Sequence, residues 1–229
     1  MDNMNTYSGQ MTQDTAISAY FANVYKWMTV AMGLTTLVAW FVSQNAALAD
    51  FLALRPMVIW VLFAVEIGFV WYISARAHKM SYGAAIGTFL FYAALNGVTL
   101  SFIFSMYSTA SIFQTFLVTT AMYAATSLYG YTTKRDLTGF GSFLFMALVG
   151  IIIASVVNLW LASPMIQWVT TFGGIVVFAG LAAYDHQKLK EMALSGGPAS
   201  LAILGALSLY LDFINLFLFL LRLMGSSRD

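Results

Sequence analysis

Not one of the 229 residues is cysteine. That excludes disulfides, thiolate metal sites and thiol catalysis, and it leaves the redox compartment open. Charge is nearly as scarce. Ten Lys and Arg and nine Asp and Glu make up 8% of the chain, with a net charge of +1. A soluble domain carries roughly 25% charged residues to face water, so most of this surface must face lipid. So small a net charge also excludes nucleic-acid binding by bulk electrostatics. The two histidines, His78 and His186, stand too far apart to make a metal site. No serine–histidine–acid array, phosphate loop or metalloprotease helix is present, so no enzyme is expected. The first 26 residues lack a basic stretch followed by a short apolar one, and no cleavable signal peptide is expected.

What is present is apolar: 61% of the residues are hydrophobic. The runs are apolar on both faces, which excludes the alternation of a membrane barrel. Seven runs, at 27–48, 57–75, 82–106, 112–131, 140–161, 165–183 and 201–224, are each long enough to cross a hydrocarbon core of about 30 Å. All three prolines, Pro56, Pro164 and Pro198, fall between runs, as expected for a residue that disrupts helix interiors. The expected fold is therefore all-α, a single seven-helix transmembrane domain over 26–229. Ahead of it lies a cytoplasmic tail over 1–25, partly disordered up to about Thr15. Ile17, Tyr20, Phe21 and Val24 recur there at helical spacing and suggest a short interfacial helix. Of the ten basic residues, Lys26, Arg76, Lys79, Lys134, Arg135, Lys188 and Lys190 fall on the side of the N-terminus. Arg55, Arg222 and Arg228 fall on the other. The excess predicts a cytoplasmic N-terminus and, with seven spans, an external C-terminus; six spans with a re-entrant last segment would put the C-terminus inside.

Ionisable groups inside a span cost at least about 2.5–3.5 kcal/mol each, so those present demand a reason. Glu66, Arg76, Asp212 and Arg222 lie in or at the ends of spans, and Asp185 sits where the sixth span leaves its most apolar part. That span is expected to continue as helix past Asp185 until Gly196-Gly197-Pro198 stops it. A hairpin folded there brings Asp185 level with Asp212 on the next helix. Arg76 lies ten residues from Glu66, and Asp212 ten from Arg222, each about 15 Å of helix. If Glu66 pairs with Arg222, then Arg76 falls level with the two aspartates. The outer tier is neutral, and the inner tier, two carboxylates and one guanidinium, carries a single net negative charge. Two close carboxylates titrate as one coupled unit, and one proton neutralises that tier. The same pair suits a hard cation such as calcium. Capping of a helix by Asp185 and snorkelling of Arg222 are the bland alternatives.

The remaining polar residues read as structural. Asn96, Asn158 and Asn215 are expected to hydrogen-bond between helices. Gly83 with Gly87, and Gly173, Gly174 and Gly180, are expected to mark close helix packing. His186 reads as a wetted interfacial histidine or as a modulator of its neighbour Asp185. The basic loop 132–136 reads as a topology anchor.

Four segments carry a resemblance: FAGLAAYDHQK at 178–188, LYLDFINLF at 209–217, GYTTKRD at 130–136 and LNGVTLS at 95–101. Together they resemble the Bax-inhibitor-motif membrane proteins, in particular the bacterial branch, over essentially the whole chain after the tail. The resemblance implies six helices around a central hydrophobic seventh, and a pH-sensitive calcium leak across a bacterial cytoplasmic membrane. It implies that Asp185 and Asp212 form the pH-sensing dyad, that Arg76 is the latch upon it, and that Glu66 and Arg222 form a supporting pair. His186 departs from the small polar residue that often follows the first aspartate in the family. No cofactor is expected, with calcium and protons as the transported species. A second reading, also carried by relatives, is an interaction protein that modulates a membrane protease or a stress or cell-death pathway.

Overall fold

A computed structural model describes residues 2–196 and 198–226, and among them every regular element is helical. In chain order these are α1 (Asp2–Gln44), α2 (Ala46–Ala53), α3 (Pro56–Arg76), a 3-10 turn (Ala77–Lys79), α4 (Tyr82–Leu100), α5 (Ile103–Met106), α6 (Thr109–Thr132), α7 (Thr138–Leu161), α8 (Pro164–Ser195) and α9 (Ser200–Met224). Local chemistry sets the ends. Asn45, Ser81 and Ser108 accept from backbone amides at the starts of α2, α4 and α6, satisfying donors that have no intrahelical partner. Pro56 and Pro164 open α3 and α8, where a missing N–H costs nothing. Gly196, at φ +66°, ends α8 in the left-handed region, so that helix does run past Asp185 to the expected stop.

Among the described residues six helices are long and apolar enough to cross a membrane: Gln13–Gln44, Met57–Lys79, Tyr82–Met106, Thr138–Leu161, Pro164–Ser195 and Ser200–Met224. The expected fourth span lies within α6, a 24-residue helix of lower hydropathy that is not among the six. Its hydroxyls explain the difference. Thr119, Thr120, Thr126 and Thr132 each donate to the carbonyl one turn back, at 2.7–3.1 Å. The N-terminal boundary at residue 25 also falls inside a helix. Ile17, Phe21, Val24, Met28 and Ala31 are buried in succession along one face of α1, so the stretch read as interfacial continues into the first span. Met1 lies outside the described residues.

The chain divides into two compact units. The first comprises Met1–Ser105 with Leu189–Tyr210; its core gathers Val24, Ile73, Phe89, Ile203, Leu207 and Tyr210. The second comprises Met106–Lys188 with Leu211–Asp229 and is built on Tyr123, Leu144, Phe178, Leu216 and Leu221. Helix α9 is the most buried span, with 61% of its most apolar stretch inside the molecule.

The glycines correct one expectation. Space within 4 Å of a Cβ at Gly83 or Gly87 is empty, so neither marks a close approach. Gly174 and Gly180 do, against the Phe219 ring and the Leu144 side chain. The tightest position is Gly130, where a Cβ would run into the backbone carbonyl of Ala183.

Candidate functional site

Within the second unit, the chain just before Asp185 is pinched from two sides. Gly130 of α6 lies against the Ala183 backbone, and a Cβ at Gly141 of α7 would come within 2.5 Å of the Tyr184 ring. Two residues beyond Asp185, the Gln187 amide spans the turn between α6 and α7. Its Oε1 accepts from Leu137 N at 2.8 Å and its Nε2 donates to Arg135 O at 2.7 Å. Two helices and a turn therefore fix the height and rotation of α8 at this carboxylate. Gln187 was not singled out in the sequence. The available signal was a polar side chain continuing a span directly after Asp185 and His186.

Asp212 of α9 is 5% exposed, and its Oδ2 has no hydrogen-bond partner. Asp185, half-buried on α8, is close enough for its charge to act directly on the Asp212 carboxyl. The structure thus brings the two aspartates together. His186 is 1% exposed, which overturns the reading of a wetted histidine. Its Nδ1 lies 2.6 Å from Ala182 O, one turn back, and its ring packs edge-on against Tyr123 at 5.7 Å. Tyr123 also meets Phe213 at 5.4 Å. One α6 aromatic ring therefore braces the immediate neighbour of each aspartate.

Glu66 belongs to the first unit and is 6% exposed. Both of its oxygens are taken by α4: Thr99 Oγ1 donates to Oε1 at 2.5 Å and Asn96 Nδ2 to Oε2 at 3.2 Å. The chain of contacts continues. Tyr210 Oη of α9 donates to Asn96 Oδ1 at 2.9 Å and lies 2.7 Å from Thr35 Oγ1 of α1, which itself donates to Ala93 O at 2.8 Å. Thr35 and Tyr210 hold two hydroxyl protons between them, yet three contacts call for one. Asn96 meets the expectation of an inter-helix bond. Asn158 and Asn215 instead serve the chain end of α7 and a carbonyl of their own helix.

The arginines stand at helix ends. Arg76, exposed, closes α3 with its guanidinium 5.8 Å from the Tyr72 ring centre. Arg222, exposed, lies in the last turn of α9 beside a cavity of about 210 Å³ lined by Pro164, Gln167, Trp168, Thr171 and Leu223. Both positions are favourable for a cation by the helix dipole. In the turn 133–137, hydrogen bonds from the Thr138 side chain and, at 2.8 Å, from Thr138 N hold the exposed Asp136 carboxyl below the usual aspartate range. Among the described residues no three His, Asp or Glu side chains gather as a metal site.

The family model described as inhibitor of apoptosis-promoting Bax1 matches residues 17–229. The chain is 49% identical over 218 residues to the inner membrane protein YbhL of Escherichia coli strain K12, covering 93% of each chain. It is 39% identical over 230 residues to the uncharacterized protein RP147 of Rickettsia prowazekii, covering 99% of this chain and 97% of that one. An uncharacterized protein of Borreliella burgdorferi is 38% identical over 215 residues, covering 92% of this chain and 93% of its own.

Proposed function

The chain belongs to the Bax1-inhibitor family of membrane proteins, and from that premise we propose that it is a pH-gated calcium leak channel or slow calcium transporter with seven spans. In this reading α6, the expected fourth span, completes the seven, and its 24 residues rise about 36 Å. The membrane is a bacterial inner membrane, as the name of the relative YbhL states for that protein, with the N-terminus in the cytoplasm.

The observation that carries the reading is the pair Asp185 and Asp212 on consecutive helices, one half-buried and the other buried with an unpartnered oxygen. Ionised, the pair attracts a cation and offers oxygen ligands of the kind calcium prefers. Arg76 is the residue to which the family resemblance assigns the role of latch. One proton on the pair changes its charge and shifts the balance between closed and open forms. Glu66, held by Thr99 and Asn96, and Arg222, in the last turn of α9, are the residues to which the family resemblance assigns a supporting role. Gly130, Gly141 and Gln187 act as positioning residues, since they set where Asp185 stands.

The test is calcium entry into liposomes bearing the whole chain, followed by an internal dye while the external pH is scanned. Asp185→Asn and Asp212→Asn are expected to flatten the pH response. Unchanged flux and an unchanged profile in both variants would overturn the reading. The family description names a protein target, which favours a second role in protein interaction. Deleting the N-terminal residues ahead of the first span, while following flux and membrane-protease activity together, separates the two.

A further inference from the structure

One face of α6 carries hydroxyls to which the dyad scheme gives no role. Ser111, Thr115, Thr119, Tyr123 and Ser127 recur every fourth residue and are exposed by 6%, 0%, 0%, 6% and 7%. This is a polar stripe along the length of a helix in lipid. A buried hydroxyl in such a helix ordinarily donates to the carbonyl one turn back, and Thr119 does so to Thr115 O at 2.7 Å. Thr115 Oγ1 and Ser127 Oγ have no partner. Among the described residues the third buried side-chain polar atom without one is Asp212 Oδ2, and all three belong to the second unit.

Their heights are related by Tyr123, whose ring contacts His186 beside Asp185 and Phe213 beside Asp212. Ser127 lies four residues from Tyr123 in one direction and Thr115 eight in the other, about 6 Å and 12 Å along the axis. The unpartnered oxygens therefore bracket the aspartate pair on both sides. At the Thr109 end, Ser111 Oγ accepts from Ser226 N at 2.8 Å, and Ser108 N donates to Ser226 O at 3.2 Å. The backbone that follows α9 thus closes that end of the stripe.

Unpaired buried polar groups are rare and call for an explanation. A hard cation crossing this region needs more oxygen ligands than two carboxylates provide. We propose that the hydroxyl stripe of α6 is the wall of the ion path, supplying oxygen contacts to water and to the dehydrating cation on either side of Asp185 and Asp212. The proposal rests on the calcium reading above and extends it to the residues that line the route.

The absence of cysteine makes the test clean, because each introduced thiol is unique. Thr115→Cys, Ser127→Cys and the lipid-facing control Leu117→Cys, at a position 52% exposed, are reconstituted as full-length protein in phosphatidylethanolamine–phosphatidylglycerol liposomes. Silver ion is added, and the thiols still free are counted by alkylation after denaturation. Thiols at 115 and 127 are expected to be blocked at least about tenfold faster than at 117, because only a hydrated thiol ionises. Equal blocking at all three positions, or none at 115 and 127, overturns the proposal. In parallel, Thr115→Val and Ser127→Ala are expected to lower calcium flux severalfold without moving the pH midpoint. If the parent protein passes no calcium but silver still reaches 115 and 127, the calcium reading fails while the path stands. If flux is intact in the parent and in both hydroxyl variants, the route lies elsewhere while the aspartate reading stands.

Discussion

Replacing Tyr210 by Phe removes one oxygen from the centre of the first unit and leaves the ring in place. The ring packs edge-on against Phe89 at 5.7 Å and Tyr92 at 5.9 Å, and those contacts do not involve the hydroxyl. What is lost is the donor to Asn96 Oδ1 and the contact with Thr35. Thr35 keeps its bond to Ala93 O. Asn96 keeps only its donation to Glu66, so its carbonyl oxygen is stranded at a side chain 7% exposed. Two scales compete for the magnitude. Side-chain bonds between membrane helices average about 0.6 kcal/mol, because the reference state also finds partners. A buried acceptor left without a donor costs about 1–3 kcal/mol. The second scale governs here, since Tyr210 is 0% exposed and the Phe variant brings no new polar partner. In a protein of this size that is a fall of about 2–12 °C in melting temperature. The assay is thermal unfolding in detergent, read by loss of the monodisperse peak in size-exclusion chromatography. A variant that melts with the parent would refute the reasoning, because Asn96 Oδ1 would then have a replacement donor.

Three further outcomes follow from the same geometry. Gly130→Ala is expected to cost about 1–3 kcal/mol by overpacking against the Ala183 carbonyl, whereas Gly87→Ala, inside α4 with open space around it, is expected to gain about 0.5–1 kcal/mol from helix propensity; paired melting curves decide both. Gln187→Ala removes both bonds that tie α8 to the turn, and deuterium exchange at the Leu137 amide should accelerate relative to the parent, with an unchanged rate counting against the clamp. The Asp136 carboxyl is held low by the Thr138 side chain and amide, so the stability it contributes is present above its unfolded pKa and lost as pH falls through the lower folded value; a Thr138 amide resonance titrating at or above the usual aspartate range would contradict these bonds.

The aspartates were legible in the sequence for a simple reason: a charge inside an apolar run is conspicuous, and the Gly196–Pro198 stop fixes how two helices fold back beside one another. Glu66 was equally conspicuous, but its partners were not. Asn96 and Thr99 lie 30 and 33 residues away on α4, and tertiary packing alone decides which donors face a carboxylate. Tyr210 was passed over because a tyrosine in a span reads as an aromatic until its hydroxyl is seen to bridge two helices. The small-residue pattern was misleading in both directions. It singled out Gly83 and Gly87, which face open space, and missed Gly130 and Gly141, because spacing shows where a backbone can approach and never what lies opposite. His186 was misplaced because residue type suggested water where burial under Tyr123 excludes it.

Helix α6 bears on how such a protein is made. Four of its threonines donate to carbonyls of the same helix, and these groups are silent toward lipid only once the helix exists. In the extended chain leaving the ribosome they are open donors that favour water. Entry of any span requires its backbone groups to be paired in a helix; in this segment coiling pairs the hydroxyls as well, so its entry depends on the helix more steeply than that of its greasier neighbours. Substitutions that unwind α6 should then act during synthesis, as topological errors in the nascent chain, before they register as instability of the finished protein.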